Sequence, residues 1–427
     1  MGPYVQLMSD LADVDVVVVG AGAAGVAAGH ALARAGLRFV VLEARSRVGG
    51  RAWSIDGFSP YGLDLGCGWL HSADDNPLVG ITRSLGLTVD ETTPPWQREM
   101  PEQGFPADAQ RGFRDAQNSF YERMEAEVHK AGDRPAAELL EPGNRWNPLI
   151  DAISTYVNGV ELDRLSVRDF DNYHDSRLNY RVVEGYGTLI ARSGAALPVI
   201  TECPVETIDH SGSRIIVTCA KGRVSARAVI VTVPTNLLAR DVIRFTPDLP
   251  EKRDAASVLP LGLDDKLFLR VDKAEELPEN SRQFGALDRR ATGAYHYRPF
   301  GLPVIEGYFG GQCARDLEKE GLAGFTAFAR EELVRMLGSQ WRDRLTSIAV
   351  SSWEQDPYAL GSYSHALPGH WDKRAVLAQP VDDRLFFAGE ATSPHYFSTA
   401  HGAHESGERA AAEALQALNI SVADQNR

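Results

Sequence analysis

The 427 residues carry a formal net charge of -14 and are 44% hydrophobic, enough for a large core and, at this length, for two domains. The acidity argues against nucleic acid as the main partner and favours the approach of cationic molecules. No run of about eighteen apolar residues occurs, so no membrane-spanning helix is expected, and the polar segment Ala423–Arg427 is no membrane anchor. Met1–Asp15 holds Asp10, Asp13 and Asp15 but no lysine or arginine, unlike a secretory signal. Cys67, Cys203, Cys219 and Cys313 lack metal-ligand or paired spacing and read as reduced thiols of a cytoplasmic protein.

Taken in chain order, Val16–Val19 is an apolar run suited to a buried parallel strand, and Gly20-Ala21-Gly22-Ala23-Ala24-Gly25 follows at once. In such a turn Gly20 permits the bend, Gly22 lets a pyrophosphate reach the backbone, and Gly25 lets the helix approach the strand. The alanine-rich segment Val26–Ala35 supplies the helix, whose first N–H groups and positive dipole end would face phosphates. A second strand, Phe39–Leu42, ends in Glu43, placed to reach the ribose hydroxyls of an adenine dinucleotide. Ala44 and Arg45 continue that edge, and a 2′-phosphate would be repelled by Glu43. Gly49-Gly50-Arg51 forms a second glycine loop from which a guanidinium could reach the pyrophosphate.

Helical patterns cover 108–131, 146–160 and 323–337, and strand patterns 267–271, 304–309 and 346–352. Near the end, Phe387-Ala388-Gly389-Glu390-Ala391-Thr392 is a strand breaking at glycine into an acid. Ser398-Thr399-Ala400-His401-Gly402-Ala403 then leads into the helical stretch His404–Leu418. A strand, loop and helix of this kind suit the ribityl chain and pyrimidine edge of a flavin. Glu390 is a candidate acceptor for a ribityl hydroxyl, and the helix N-terminus would stabilise charge on the reduced ring. Dinucleotide signals at both ends predict a nucleotide domain assembled from 1–80, 196–256 and 378–427, with 81–195 and 257–377 forming a second domain.

Several motifs in a fixed order make the resemblance specific. Beyond the two ends, they are Asp64-Leu65-Gly66-Cys67-Gly68-Trp69-Leu70-His71, Val229-Ile230-Val231-Thr232-Val233-Pro234, Gly262-Leu263-Asp264-Asp265-Lys266-Leu267-Phe268, and Trp353 with Asp356-Pro357-Tyr358-Ala359-Leu360-Gly361-Ser362-Tyr363-Ser364. Over nearly its whole length the chain resembles the flavin-dependent amine oxidases, closest in motif pattern to polyamine oxidases. The resemblance implies an α/β fold, with a Rossmann-like FAD-binding domain of the glutathione-reductase type and a discontinuous mixed α+β substrate domain. Gly66, Cys67, Gly68, Trp69, Val205, Val233, Pro234, Gly389, Glu390, Thr399 and Ala400 would join the glycine loops around FAD.

By the same resemblance, Lys266 bonds flavin N5 through a water and assists reoxidation by dioxygen; read from its neighbours alone, it is a surface lysine paired with Asp264 or Asp265. Tyr363 is one wall of an aromatic cage, with Trp353 near the flavin. Thr399 stands at the opposite wall, where monoamine oxidases have a second tyrosine. His71 matches the histidine of animal-type polyamine oxidases, or else serves as the N-cap of a helix opening at Asn76-Pro77-Leu78. Ser362 occupies the position of the flavin-linked cysteine of covalent members, so FAD is expected to be noncovalent. Amino-acid oxidases of the superfamily clamp the substrate carboxylate with an arginine near Trp69; none is present there, and Arg181 and Arg298 remain unplaced.

The expected activity is oxidation of a polyamine or other aliphatic amine to an imine by hydride transfer to flavin N5. Dioxygen would be the acceptor, giving hydrogen peroxide and, after hydrolysis, an aldehyde or ketone. An L-amino-acid or N-heterocyclic amine oxidase or dehydrogenase is the alternative, and a flavin-binding protein without turnover the alternative of another class. The expected partners are a small amine and dioxygen, with no nucleic acid, membrane or metal, and a homodimer is the assembly to test.

Overall fold

A computed structural model describes residues 13–420; the readings of residues 1–12 and 421–427 lie outside it. The first sheet forms on the strand–turn–helix–strand unit. Strand β1 (Asp13–Val19) runs into helix α1 (Ala23–Arg34) and returns as β2 (Phe39–Leu42), so the helix begins directly after the turn. β1 is flanked in parallel by β2 and by β3 (Gly222–Val231), in register from Val16 opposite Ala228 to Val19 opposite Val231. Continuous burial of Val16–Val19 and Val40–Leu42 is what a parallel strand covered on both faces requires.

The second sheet is antiparallel. Its strands are β4 (Asp264–Val271), β5 (Ser281–Phe284), β6 (Ala294–Tyr297), β7 (Val304–Gly310) and β8 (Leu345–Val350), in the order β5-β6-β7-β4-β8. Residues directly opposite across a ladder share a face. Lys266 faces Tyr308, Tyr308 faces Ala294, His296 faces both Glu306 and Arg282, and Ala294 faces Phe284. Asp264, Lys266, Glu306, Tyr308, Ala294, His296 and Arg282 therefore stand on one side. The other side, with Leu267, Leu269, Tyr295, Tyr297, Ile305 and Phe309, packs on Phe325, Ala329 and Leu333 of the helix Gly321–Leu337. One face is core and the other is a wall.

The chain then returns to the first sheet. Strand β9 (Leu385–Phe387) pairs in parallel with Val229–Val231 of β3, and helix α2 (Ala400–Ala417) lies against α1. The close approach is set by glycine: a Cβ on Gly407 would stand 2.1 Å from the carbonyl oxygen of Ala24. Two segments pack across the expected domain limits. Helix Tyr186–Gly194, placed with 81–195, buries Tyr186, Leu189 and Ile190 in the core under α1. Leu377, placed in 257–377, belongs to the core on the other face of the first sheet. Among the described residues, no helix is long and apolar enough to cross a membrane.

Candidate functional site

Between the two sheets lies a cavity of about 720 Å³, walled by both ends of the chain and by the polar face of the second sheet. At its nucleotide end stand Gly20, Gly22, Ala23 and Ala24, then Glu43, Ala44 and Arg45, then Gly49, Gly50 and Arg51. Gly20 has φ +102°, a conformation natural to glycine. A Cβ on Gly22 would meet nothing nearer than 3.9 Å, so its open side faces the cavity. Gly25 is the one expected cofactor residue outside the lining: a Cβ there would strike the Gly20 carbonyl oxygen at 1.9 Å, so its smallness serves helix packing. The first turn of α1 has neither a side-chain cap nor an acidic residue, leaving its N–H groups for an anion.

Glu43 is buried. Its Oε2 accepts from the Ala21 N–H at 2.7 Å and its Oε1 from the Arg45 N–H at 2.8 Å, leaving lone pairs for ribose hydroxyls. Arg45 is held in turn by a two-pronged bond to Asp356, at 2.7 and 3.3 Å. The second glycine loop docks on the first through the Gly49 N–H, which donates to the Ala21 carbonyl at 2.9 Å. Val205, Val233 and Pro234 complete this end, and Gly66, Cys67, Gly68, Trp69, Gly389, Glu390, Thr399 and Ala400 carry the lining onward. The residues present fit FAD.

Glu390 lines the cavity and is bonded on both carboxylate oxygens. Its Oε1 accepts from Arg51 Nη1 at 2.9 Å and the Ser364 N–H at 3.2 Å, and its Oε2 from Ser364 Oγ at 2.6 Å and the Ser398 N–H at 2.9 Å. Four protein donors meet the carboxylate, and through one of them it fixes Arg51 at the cavity wall. Burial works to raise its pKa, but Arg51, Ser364 and Arg374 hold it below the usual range. Thr399 is the N-cap of α2, accepting from the Gly402 N–H at 3.0 Å and donating to the Tyr396 carbonyl at 2.6 Å. It lines the cavity as a capping residue.

Lys266 also differs from its surface reading. It is buried and pairs with neither neighbouring aspartate: Asp265 accepts from Ser351 Oγ and the Trp353 N–H, and the lysine Nζ lies 3.2 Å from Glu306 Oε1. That approach is not an aligned hydrogen bond, and both atoms remain without one. Lys266 therefore keeps donors for a guest. A Cβ on Gly68 would stand 3.1 Å from the lysine nitrogen, so the glycine preserves the gap beside it. Fully buried Glu306 also takes Arg181 Nη1 at 3.2 Å and lies 3.4 Å from His296 Nδ1. Burial works to raise the Glu306 pKa, but Arg181, Lys266 and His296 hold it well below the usual range.

Trp353 donates its indole N–H to the Leu65 carbonyl at 3.1 Å, and Tyr363 its hydroxyl to the Tyr156 carbonyl at 2.7 Å. Both rings are thus locked at the cavity wall by their polar tips. Burial, with Asp264 nearby, drives the Tyr363 phenol well above its ordinary pKa and keeps it neutral. His71 lines the cavity but is no N-cap. Asn76 caps the helix, accepting from the Leu78 N–H at 3.0 Å, while His71 Nδ1 meets Asn179 Oδ1 at 2.6 Å. Burial lowers the His71 pKa, and with Nδ1–H committed to Asn179 the neutral ring has Nε2 free to accept. Arg181 is taken by Glu306 and stacks over Trp69 and Phe300. Arg298 donates to the Leu277 and Gly301 carbonyls. Neither is a free carboxylate clamp.

Sequence reasoning missed Glu306, Asp264 and the pair Asp169–Arg374. Glu306 had a signal, as the only acid in the apolar run Val304–Phe309. Asp264 is buried on the cavity wall, has an unpartnered Oδ1, and is pushed well above the usual carboxylate range by burial. Arg374 binds Asp169 through two bonds, at 2.7 and 2.8 Å, across 205 residues; nothing local could have announced it.

A model of the family described as flavin containing amine oxidoreductase matches residues 23–415. The chain is 28% identical over 440 residues to polyamine oxidase 4 of Oryza sativa subsp. japonica, covering 93% of this chain and 88% of that protein. It is likewise 28% identical over 433 residues to polyamine oxidase 2 of Arabidopsis thaliana, covering 93% and 87%. A solved structure of putrescine oxidase bound to putrescine superposes with a TM-score of 0.74 at 21% identity, covering 95% of this chain and 99% of that one, and has the same fold. With a cavity built for FAD and a family match spanning both sheets, the chain belongs to the flavin containing amine oxidoreductases.

Proposed function

We propose that this enzyme oxidises an aliphatic amine, a polyamine or a similar compound, to an imine that hydrolyses to an aldehyde or ketone, with dioxygen as the final acceptor. The polyamine oxidases among its relatives support the substrate class. Lys266 carries the reading: a buried lysine with donors to spare, 3.2 Å from Glu306 and beside a gap that Gly68 keeps open. FAD, held by the two glycine loops, Glu43 and Arg51, would supply the hydride acceptor and the route for electrons to dioxygen, with hydrogen peroxide as the product. Lys266 places positive charge where reduced oxygen species form. The substrate nitrogen must be neutral to release hydride, since an ammonium has no lone pair to stabilise the developing iminium. Asp264 Oδ1, unpartnered on the cavity wall, is the acceptor we assign to the shed proton, which it takes when its carboxyl is ionised. Trp353 and Tyr363 orient the amine between fixed ring faces and exclude water.

FAD is held without a covalent bond in this reading. Ser362 Oγ donates to the Gly262 carbonyl at 3.1 Å, and burial pushes the cavity-lining Cys67 thiol up to about 12, which leaves little thiolate for attachment. Four free thiols among the described residues support a reducing, cytoplasmic setting.

The test is anaerobic mixing of the flavin-loaded enzyme with putrescine, spermidine, spermine, benzylamine and L-amino acids. Bleaching by aliphatic amines is expected, and a flavin left unreduced by all of them would overturn the reading. Replacing Lys266 with Met should slow reoxidation by dioxygen about 100-fold and reduction far less. Equal losses in both half-reactions would remove the role given to the lysine.

A further inference from the structure

Of the three arginines that line the cavity, Arg45, Arg51 and Arg282, only the last lacks an ion pair among the described residues. Arg45 has Asp356, Arg51 has Glu390, Arg181 has Glu306 and Arg374 has Asp169. Arg282 lines the same cavity, and among the described residues it has no ion pair and no hydrogen bond; its Nε is fully buried without a partner. Its surroundings are aromatic: the guanidinium lies 4.9 Å from the centre of the Phe284 ring. Tyr121, whose ring stacks on Phe170 at 5.9 Å, and Tyr156 line the same chamber. Arg282 is half-buried, its guanidinium still open to the cavity, and a free arginine fork matches a carboxylate in shape. Burial lowers the Arg282 pKa only to about 10, so the group is cationic at neutral pH.

Position decides which anion fits. β5, which carries Arg282, is three strands from β4, which carries Lys266, a backbone separation of about 14 Å at the usual strand spacing. An α-amino acid places its carboxylate on the carbon that reacts, next to Lys266, and could not also reach Arg282. The register nevertheless puts both side chains on the same face, so a linear molecule along that face could meet both ends of the cavity.

We infer that Arg282 is an anion subsite for the remote end of the substrate, so that the preferred amines end in a carboxylate, as ω-aminocarboxylates do. This rests on the amine-oxidation reading and narrows it: a diamine or polyamine of matched length would bring an ammonium against an unneutralised guanidinium, a repulsive contact.

Two measurements on the flavin-loaded enzyme test it. In calorimetric titration with caproate, which cannot be oxidised, wild type binds and Arg282→Gln weakens binding by about tenfold or more, with Arg282→Lys in between. In steady-state turnover, ε-aminocaproate exceeds hexylamine and hexamethylenediamine in kcat/KM, and Arg282→Gln removes the advantage through KM while leaving hexylamine unchanged. Arg282→Gln should retain the wild-type flavin content; if it does not fold, Arg282→Lys carries the comparison. Caproate that fails to bind wild type, binds it regardless of Arg282, or a wild-type preference for the diamine overturns the subsite. Arg282-dependent caproate binding without bleaching by any amine would instead refute the oxidation and leave the subsite standing.

Discussion

Glu306 is fully buried and answers Lys266, Arg181 and His296 together. Removing its charge strands two buried cations, so Glu306→Gln should destabilise the protein by about 3–5 kcal/mol in urea titration. Lys266→Met should cost less, because Arg181 still neutralises the carboxylate. If both substitutions cost the same, the shared-carboxylate account is wrong. His365 has neither ring nitrogen bonded, and burial, with Arg164, Arg374 and Arg315 nearby, lowers its pKa to about 3. Burial takes His401 to about 3 as well. Both folded-state values lie below the ordinary 6.5, so the unfolded chain takes up these protons first. Their contribution is intact above about pH 6.5 and is lost as pH falls toward about pH 3. The melting temperature should therefore drop between about pH 7 and about pH 5, more gently in His365→Gln. A flat profile in wild type would contradict this.

At the level of elements, the α1–β1 and α1–α2 contacts hold the nucleotide end together, and each depends on a missing side chain. In Gly25→Ala the new Cβ meets the Gly20 carbonyl at 1.9 Å, and backbone on both sides cannot yield. The helix must move off β1, at about 1–3 kcal/mol, with flavin content per chain falling alongside; full flavin in the purified variant would refute the packing role. This unit was legible from sequence because its signals are local: an apolar run, spaced glycines, an alanine-rich helix and an acid at the next strand end. β4, β7 and β8 were legible too, though β4 starts earlier than expected, at Asp264. β5 and β6 were not, since strands of four residues flanking Asp288-Arg289-Arg290 give no sustained alternation. The occupants of Glu390, the partner of Lys266 and the cap at Asn76 were hidden for another reason. Each depends on which of several nearby or distant polar groups arrives first, and only tertiary packing decides that.

For the whole molecule, one cavity joins both sheets, so its guest should stabilise everything at once. At FAD a hundredfold above its dissociation constant, the apoprotein should gain about 2.7 kcal/mol, read as a rise in melting temperature on reconstitution. Acid precipitation should leave all the flavin in the supernatant, since Ser362 offers no thiol; flavin retained on the pellet would disprove noncovalent attachment.

The packing of α2 on α1, with Gly407 against Ala24, also orders events in time. The first partner leaves the ribosome long before the second, with Arg51 still waiting for Glu390. Capture of the yellow prosthetic group must therefore await the synthesis of α2, and a nascent polypeptide stalled before Leu385 would show its bare glycine groove to chaperones.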